Sequence, residues 1–268
     1  MWNKIFALST IALLAAAVAM WLIPTSVFSP DTDFGKSYFV LSNRMESTYG
    51  SDVITAAATD EKVVALTFDD GPDPKITPQV LKILKRHDIK ATFFVVGEDA
   101  AINPDLVLQE LSDGHEIENH TYTHPDLLKN TDLTAGEEIT WNHQVVGELT
   151  KRSPIYFRPP KKLFNKEIVQ MSQLYGYRIV LWTVCVESRY AKTPQAMADR
   201  VLKYTTPGSI ILAHDGHLDR TQTVKALPLI IERLKKEGYK FVTLEELLTV
   251  YNKNQPKPPI TRGAENRM

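Results

Sequence analysis

Short apolar runs and amphipathic runs alternate along the chain from about residue 61 to residue 250. Runs rich in β-branched and aromatic residues predict strands, and runs with apolar residues three and four apart predict helices. The predicted strands are Val63–Phe68, Ala91–Val96, His115–Asn119, Tyr156–Arg158, Arg178–Val184, Ser209–Ala213 and Phe241–Thr243. The first predicted helix has Thr77 as N-cap and Pro78 in its first turn. The other predicted helices are Pro104–Leu111, Thr134–Thr150, Lys166–Tyr175, Pro194–Tyr204 and Val224–Glu237.

This alternation of strand and helix predicts an α/β domain with a parallel sheet and helices outside it. The sheet is either closed into a barrel or open and doubly wound. No Gly-x-Gly-x-x-Gly follows the first strand, which argues against a dinucleotide-binding fold and a nucleotide cofactor. In a barrel, the carboxyl ends of all strands face one common site. Polar residues at the strand ends are therefore the candidates for chemistry.

The chain begins with an apolar run, Ile5–Ile23, whose only polar members are one serine and one threonine. At about 1.5 Å per residue, a helix of this length approaches the roughly 30 Å of a bilayer core. Lys4 precedes the run, and Asp31 and Asp33 follow it, which favours an inside amino terminus and an outside body. We expect one uncleaved transmembrane helix in the cell membrane, with the body extracytoplasmic. A cleaved signal segment and a secreted body are the alternative.

Four segments are expected. Residues 1–24 form the membrane anchor or signal segment, and residues 25–60 form a stalk that packs one short strand, at the apolar patch 38–41, on the body. Residues 61–251 form the catalytic domain. Residues 252–268 form a polar, proline-rich tail that is expected to be disordered.

Composition excludes several classes of protein. The 31 basic and 32 acidic residues nearly cancel, so nothing predicts a nucleic-acid partner. Hydrophobic residues make up 43% of the chain, which is ample for a large core. Cys185 is the only cysteine, which excludes an intrachain disulfide and a metal cluster held by several thiolates.

The first predicted strand ends at two adjacent carboxylates in Thr67-Phe68-Asp69-Asp70-Gly71-Pro72. Neighbouring side chains on a strand point to opposite faces, but a turn at Gly71 lets both carboxylates serve one site. An ordinary Asp-Gly-Pro turn is the competing interpretation. Partners at other strand ends decide between the two.

Those partners follow the later strands. His120 and His124 are four residues apart, so a helical turn would place both imidazoles on one face. Two histidines and one carboxylate are a usual ligand set for a catalytic divalent metal with an open position for water. Arg158 and His214 follow two further strands, and Cys185 through Arg189 follows a third. A metal, a base, an acid and a cation are the components of metal-assisted hydrolysis.

Residues 61–250 resemble the polysaccharide deacetylases of the NodB-homology family, carbohydrate esterase family 4. The segment from Thr67 to Pro72 resembles the first family motif at every position. The segment His120-Thr121-Tyr122-Thr123-His124-Pro125 resembles the second. The resemblance implies a distorted (β/α)7-8 barrel with Asp70, His120 and His124 as metal ligands. It also implies that the metal is Zn²⁺, with Co²⁺, Ni²⁺ or Mn²⁺ as alternatives.

The resemblance also implies roles for the remaining residues. Asp69 would be the general base, held by Arg158, and His214 the general acid. Leu212 would line the pocket for the acetyl methyl group, and the backbone N–H of Lys161 would stabilise the oxyanion. The implied substrate is an extracytoplasmic N-acetylated polysaccharide, peptidoglycan ahead of chitin, which is converted to acetate and a free sugar amine.

Two motifs depart from the family pattern. Lys161 and Lys162 stand where an aromatic residue and a glycine usually follow Arg-Pro-Pro. Cys185 stands where the family has the aspartate that tethers the acid histidine, and a neutral thiol cannot stabilise an imidazolium as a carboxylate does. Glu187 is a candidate substitute. Three functions therefore stay open: an active N-deacetylase, a non-catalytic glycan- or metal-binding descendant, and an O-acetyl esterase that needs less help from the acid.

Overall fold

The structure is a computed structural model that describes residues 53–129 and 133–252. The predicted membrane segment, most of the stalk with its patch 38–41, and the tail lie outside the described residues. Within the described ranges, no helix is both long and apolar enough to cross a membrane. The strands in this part of the chain are β1 Val53–Ile54, β2 Val63–Asp69, β3 Thr92–Val95, β4 Glu116–Asn119, β5 Tyr156–Phe157, β6 Arg178–Val180, β7 Val184–Cys185, β8 Ile210–His214 and β9 Lys240–Val242.

All ladder pairings between these strands are parallel, as the alternation predicted. The sheet order is β1-β6-β5-β4-β3-β2-β8-β7, with β9 paired to the start of β2. Among the described residues no ladder joins the two edge strands β1 and β7, so the sheet is a half-barrel rather than a closed barrel. Strand β1 lies in the segment 25–60 but beyond the patch 38–41, and it pairs with β6 of the sheet.

One predicted strand is two strands in the structure. The run Arg178–Val184 begins as β6 on one side of the half-barrel and ends as β7 on the other. Between them, the backbone N–H of Leu181 bonds to Ile54, and that of Thr183 bonds to Ile210. The chain therefore crosses the open side of the half-barrel. Leu181 and Val184 are buried on either side of the crossing, whereas Trp182 and Thr183 between them are partly exposed.

The helices pack outside the sheet. They are α1 Thr77–Arg86, α2 Gly97–Ile102, α3 Pro104–Ser112, α4 Ala135–Thr150, α5 Lys166–Leu174, α6 Pro194–Tyr204, α7 Thr221–Lys236 and the short turn α8 Leu244–Glu246. The main core lies between the sheet and the apolar faces of these helices, and Leu66, Leu84 and Ile231 are fully buried in it. Thr77 is not the N-cap of α1, because Ile76 holds that position and Thr77 lies inside the helix.

Strand β2 occupies the centre of this arrangement and is buried along its whole length. It pairs with β3 on one side and β8 on the other. The β2–β8 register places Asp69 directly opposite His214. The last residues of the two central strands are thus the proposed base and the proposed acid.

Candidate active site

Asp69 and Arg158 form a buried ion pair at the carboxyl ends of β2 and β5. Nη1 of Arg158 donates to Oδ1 of Asp69 at 2.6 Å and to Oγ1 of Thr67 at 2.9 Å. Its Nε and Nη2 donate to the carbonyls of Val180 and Leu181, and its guanidinium lies over the ring of Phe94. Burial lowers the pKa of Arg158, and the charge of Asp69 opposes that shift. One fully buried cation therefore fixes one oxygen of Asp69.

Asp70 leaves the strand in a left-handed conformation, with φ of 74°. This turn directs its carboxylate into the same site as that of Asp69. Oδ1 of Asp70 lies 3.1 Å from Nε2 of His124 and 3.6 Å from Nε2 of His120. Burial raises the pKa of Asp70, but hydrogen bonds and charge from the two histidines outweigh burial and hold that pKa well below its usual range.

His120 follows β4 and is oriented by the backbone. Its Nδ1 lies 2.6 Å from the carbonyl oxygen of Arg158, which can only accept, so Nδ1 carries the proton. In a neutral ring, the nitrogen that faces Asp70 is then the unprotonated Nε2. A histidine that donates its other N–H to a carbonyl is the usual arrangement of a metal ligand.

His124 reaches the site through a loop and not through the helical turn that the spacing suggested. Thr121 and His124 both have positive φ, 70° and 58°, which excludes a helix there. The loop is held by Glu138 of α4, whose Oε2 accepts from the backbone N–H groups of Tyr122 and Thr123. The two imidazoles still come together, with ring centroids 5.1 Å apart.

The separations of Asp70 from His120 and from His124 suit a divalent metal ion. Ligand atoms about 2.0–2.1 Å from a tetrahedral ion lie roughly 3.3 Å apart, close to the 3.1 and 3.6 Å found between Asp70 and the two histidines. His217 offers a further nitrogen, because Asp70, His124 and His217 have ligand atoms within 4.8 Å of one another. Nε2 of His217 is bonded to Asp99 at the rim, whereas His120 is buried and directed at Asp70. We therefore prefer buried His120 over His217 as the second histidine beside His124.

Arg220 holds the second oxygen of Asp70. Its Nη2 donates to Oδ2 at 2.9 Å, and its Nε donates to the carbonyl of Gly216. Arg220 is buried and directly precedes helix α7. Asp70 thus presents one oxygen to the histidines and the other to a fixed cation.

Two glycines allow the loops after β2 and β8 to approach closely. A Cβ at Gly216 would lie 1.8 Å from the carbonyl oxygen of Asp70, and one at Gly71 would lie 2.4 Å from Oδ2 of Asp215. Asp215 is buried, accepts from Thr77 at 2.5 Å, and has its pKa raised to about 7 by burial. Any side chain at either glycine would push the loop that carries Asp70 away from the loop that follows His214.

His214 is tethered by Glu187, which the sequence proposed only as a substitute for the missing aspartate. Nδ1 of His214 lies 3.0 Å from Oε2 of Glu187. Oε1 of Glu187 accepts from the backbone N–H of His214 at 3.2 Å and from Thr223 at 2.7 Å. Burial lowers the pKa of His214, but the bond to Glu187 and the charges of Glu187, Asp69 and Asp70 outweigh it, so the pKa is raised.

Cys185 is the last residue of β7, and Glu187 follows it by two residues. Sγ of Cys185 lies 3.5 Å from Oε2 of Glu187. Burial and the charge of Glu187 raise the pKa of the Cys185 thiol, so the thiol keeps its proton as long as no cation binds beside it. The longer glutamate side chain supplies the carboxylate that the family places at the cysteine position.

The roles implied for Leu212 and Lys161 stay predictions, and the structure gives the positions of the two residues. Leu212 is buried on β8 two residues before His214, on the same face of the strand. Lys161 follows Pro160 in a short exposed turn with φ of 57°, and Lys162 with φ of 59° has its Nζ 5.8 Å from the ring of Trp182. Both lysines thus hold a backbone conformation that glycine adopts freely.

Sequence reasoning missed Arg220, Glu138, Thr223 and His217. Arg220 and Thr223 lie at the start of α7, six and nine residues after His214, and no spacing rule connects them to the site. Glu138 is the second of two acidic residues in the first turn of a helix with an ordinary capping box, Thr134 with Glu137, so it resembled a surface residue. His217 could have been found, since it is a second histidine in the loop that follows His214.

The chain matches known proteins over most of this body. The family model described as "Polysaccharide deacetylase" matches residues 56–180. A peptidoglycan-N-acetylglucosamine deacetylase of Bacillus cereus is 42% identical over 190 residues, which cover 70% of this chain and 89% of that protein.

Solved structures agree with the fold. The Bc1960 peptidoglycan N-acetylglucosamine deacetylase has a TM-score of 0.72 at 32% identity, over 78% of this chain and 98% of that one. A CE4 family pseudoenzyme from Bacillus anthracis has a TM-score of 0.67 at 28% identity, over 73% of this chain and 68% of that one. Both an enzyme and a pseudoenzyme are thus among the similar structures, and the residues of the site must decide between them.

Proposed function

Because the chain belongs to the polysaccharide deacetylase family, we propose that it removes acetyl groups from N-acetylglucosamine residues of peptidoglycan and releases acetate. The observation that carries this proposal is the pairing of both catalytic groups. Asp69 is held by Arg158, His214 is held by Glu187, and the two residues lie opposite each other on neighbouring strands. A descendant without catalysis has no need to keep a relocated carboxylate on the acid histidine.

Asp70, His120 and His124 would hold the metal, with Zn²⁺ as the proposed ion. When bound, such an ion lowers the pKa of a water molecule and polarises the acetamide carbonyl. Asp69 accepts the proton of the attacking water, and Arg158 keeps its carboxylate oriented. Protonated His214 then gives its proton to the departing sugar amine, and Glu187 stabilises the imidazolium beforehand.

The remaining parts of the site bind the acetyl group. Leu212 provides an apolar wall for the methyl group. The backbone N–H of Lys161 donates to the oxyanion, a role that does not depend on the side chain. Both assignments rest on the resemblance and on the positions of the two residues beside the strand ends.

We also propose that the body works outside the cytoplasm, anchored by Ile5–Ile23. The apolar length of this segment and the charges beside it support the orientation. A periplasmic or cell-surface position would give the enzyme direct access to peptidoglycan. Protease accessibility of the body in intact cells tests the orientation, and amino-terminal sequencing of the mature chain tests cleavage.

Acetate release from the full-length chain tests the function. The chain is supplied with Zn²⁺ or Co²⁺ and assayed on peptidoglycan, on N-acetylglucosamine oligomers and on an O-acetylated glycan. Release from the first two that disappears in His214→Ala supports the proposal. Glycan binding without any release supports the non-catalytic descendant, and release from the O-acetylated glycan alone supports an esterase.

A further inference from the structure

Cys185, Glu187 and His214 bring a thiol, a carboxylate and an imidazole nitrogen to one point beside the proposed acid. Oε2 of Glu187 lies 3.5 Å from Sγ of Cys185 and 3.0 Å from Nδ1 of His214. All three ligand atoms lie within 4.8 Å of one another. These are three different metal-ligating groups in one cluster, and it is separate from the set formed by Asp70, His120 and His124.

The spacing matches that of ligands around a small cation. Zinc lies about 2.3 Å from a thiolate sulfur and about 2.0–2.2 Å from imidazole nitrogen or carboxylate oxygen. Tetrahedral angles then separate the ligand atoms by roughly 3.3 to 3.6 Å. The observed 3.5 and 3.0 Å depart from these separations by only a few tenths of an ångström.

The hydrogen bonds of the cluster leave one carboxylate oxygen of Glu187 available to a cation. Thr223 and the backbone N–H of His214 both donate to Oε1 of Glu187, which fixes the carboxylate and turns Oε2 towards Cys185 and Nδ1. The side chains of His214 and Glu187 are 20% and 19% exposed, so a hydrated ion can reach them.

We propose that Cys185, Glu187 and His214 form a second cation site, selective for soft divalent ions such as Zn²⁺ in excess or Cd²⁺, and that its occupation inhibits the enzyme. Thiolate selects soft ions over Mg²⁺ or Ca²⁺. Binding releases the thiol proton to solvent, and the neutral imidazole keeps its single proton on Nε2. Both carboxylate and thiolate then share the cation.

Inhibition follows from the atom that the cation takes. With Nδ1 of His214 bound to a metal ion, the ring cannot cycle between imidazole and imidazolium, so it cannot serve as the acid. The bond from His214 to Glu187 is lost in the same step. The binding site stands on geometry alone, whereas the inhibition rests on the proposed deacetylase function.

The test is a Cd²⁺ titration of the full-length Co²⁺-loaded chain, followed by ultraviolet absorption and by acetate release. Because Cys185 is the only cysteine, a thiolate-to-cadmium charge-transfer band reports this site alone. We expect one thiolate-bound Cd²⁺ per chain and a parallel loss of activity of at least about tenfold. Cys185→Ser, compared with its own rate before Cd²⁺, is expected to show no band and a much weaker inhibition.

Three results would overturn the proposal. These are a titration without a charge-transfer band, a band that saturates while the rate is unchanged, and equal inhibition of Cys185→Ser, which would place the inhibitory ion at Asp70, His120 and His124. If the chain releases no acetate with any metal, the proposed function fails, and the band still decides whether the cation site exists.

Discussion

The site consists of two halves that differ in how they keep their chemistry. The base half contains Asp69, Asp70, His120, His124 and Arg158, and the acid half contains Cys185, Glu187 and His214. In the base half every residue stands where the resemblance implies it, and each contacts another member of that half. In the acid half the tether has moved two residues along the chain, yet the bond to His214 is present at 3.0 Å.

The difference shows that the carboxylate contact to His214 can be kept although the residue that makes it stands at another position in the sequence. Arg158 has four hydrogen bonds and no freedom to move, so the base half has little tolerance for change. Glu187 lies at a partly exposed strand end and is longer than aspartate, so the acid half can use a neighbouring position on the same face. The experiments below compare the two halves.

Asp69→Asn is expected to have the largest effect, a fall in kcat of about 10³-fold, or about 4 kcal/mol. The amide cannot accept the proton of the attacking water. Zinc content per chain, measured beside acetate release, is expected to stay near that of the unchanged chain because Asp69 is not among the proposed ligands. A variant that kept its rate within tenfold would remove Asp69 as the base.

Arg220→Gln tests whether the Asp70 carboxylate of the base half needs a cation beside it. The variant is expected to lower the free energy of unfolding of the metal-free chain by about 3 kcal/mol. The change leaves the buried carboxylate of Asp70 without its cation. Denaturant unfolding with and without Zn²⁺ measures the effect, and the loss should shrink in the metal-loaded chain because the ion replaces the missing charge. Equal losses in both states would show that Arg220 acts by packing alone. Arg233→Gln, at an exposed pair with Asp199, is the matched control.

Glu187→Gln tests the acid half and is expected to lower kcat by about tenfold to a hundredfold at neutral pH. The pKa of His214 is raised through Glu187, and the acid must be protonated. Activity is therefore lost as pH rises through that pKa, and without Glu187 this alkaline limb should move to lower pH.

The double variant Cys185→Asp with Glu187→Gln returns the carboxylate to the family position. It should recover the rate and the alkaline limb in part. Cys185→Asp alone should not exceed the unchanged chain, because His214 already has a carboxylate partner. A clear increase would mean that the tether from Glu187 is deficient.

Lys161→Gly is expected to have the smallest effect. Glycine adopts φ of 57° without strain, so the variant should keep kcat within about threefold and gain up to about 1 kcal/mol of stability. Thermal unfolding and acetate release measure the two quantities. A large loss of activity would show that the lysine side chain contacts substrate, and Lys162→Gly at φ of 59° provides the comparison.

The sequence predicted the strand–helix alternation and the grouping of its strand ends because burial and turn chemistry are local signals. The pairing of Asp69 with Arg158 was implied by resemblance, and the contact is present. The crossing between β6 and β7 could not be predicted, since both strands and their connection are apolar. Arg220 and Glu138 belong to helices whose sequences show only surface patterns, and their contacts depend on how those helices pack against the strand-end loops.

The relation between Cys185 and Glu187 bears on how inactive family members are recognised. An alignment column that holds cysteine in place of aspartate would assign this chain to the pseudoenzymes. Side chains at positions i and i+2 of an extended segment are interchangeable supports for the same histidine, provided that the longer residue can span the gap. A survey of the family should therefore compare the positions that match Cys185 and Glu187 together. It should count the acid histidine as untethered only where neither position carries a carboxylate.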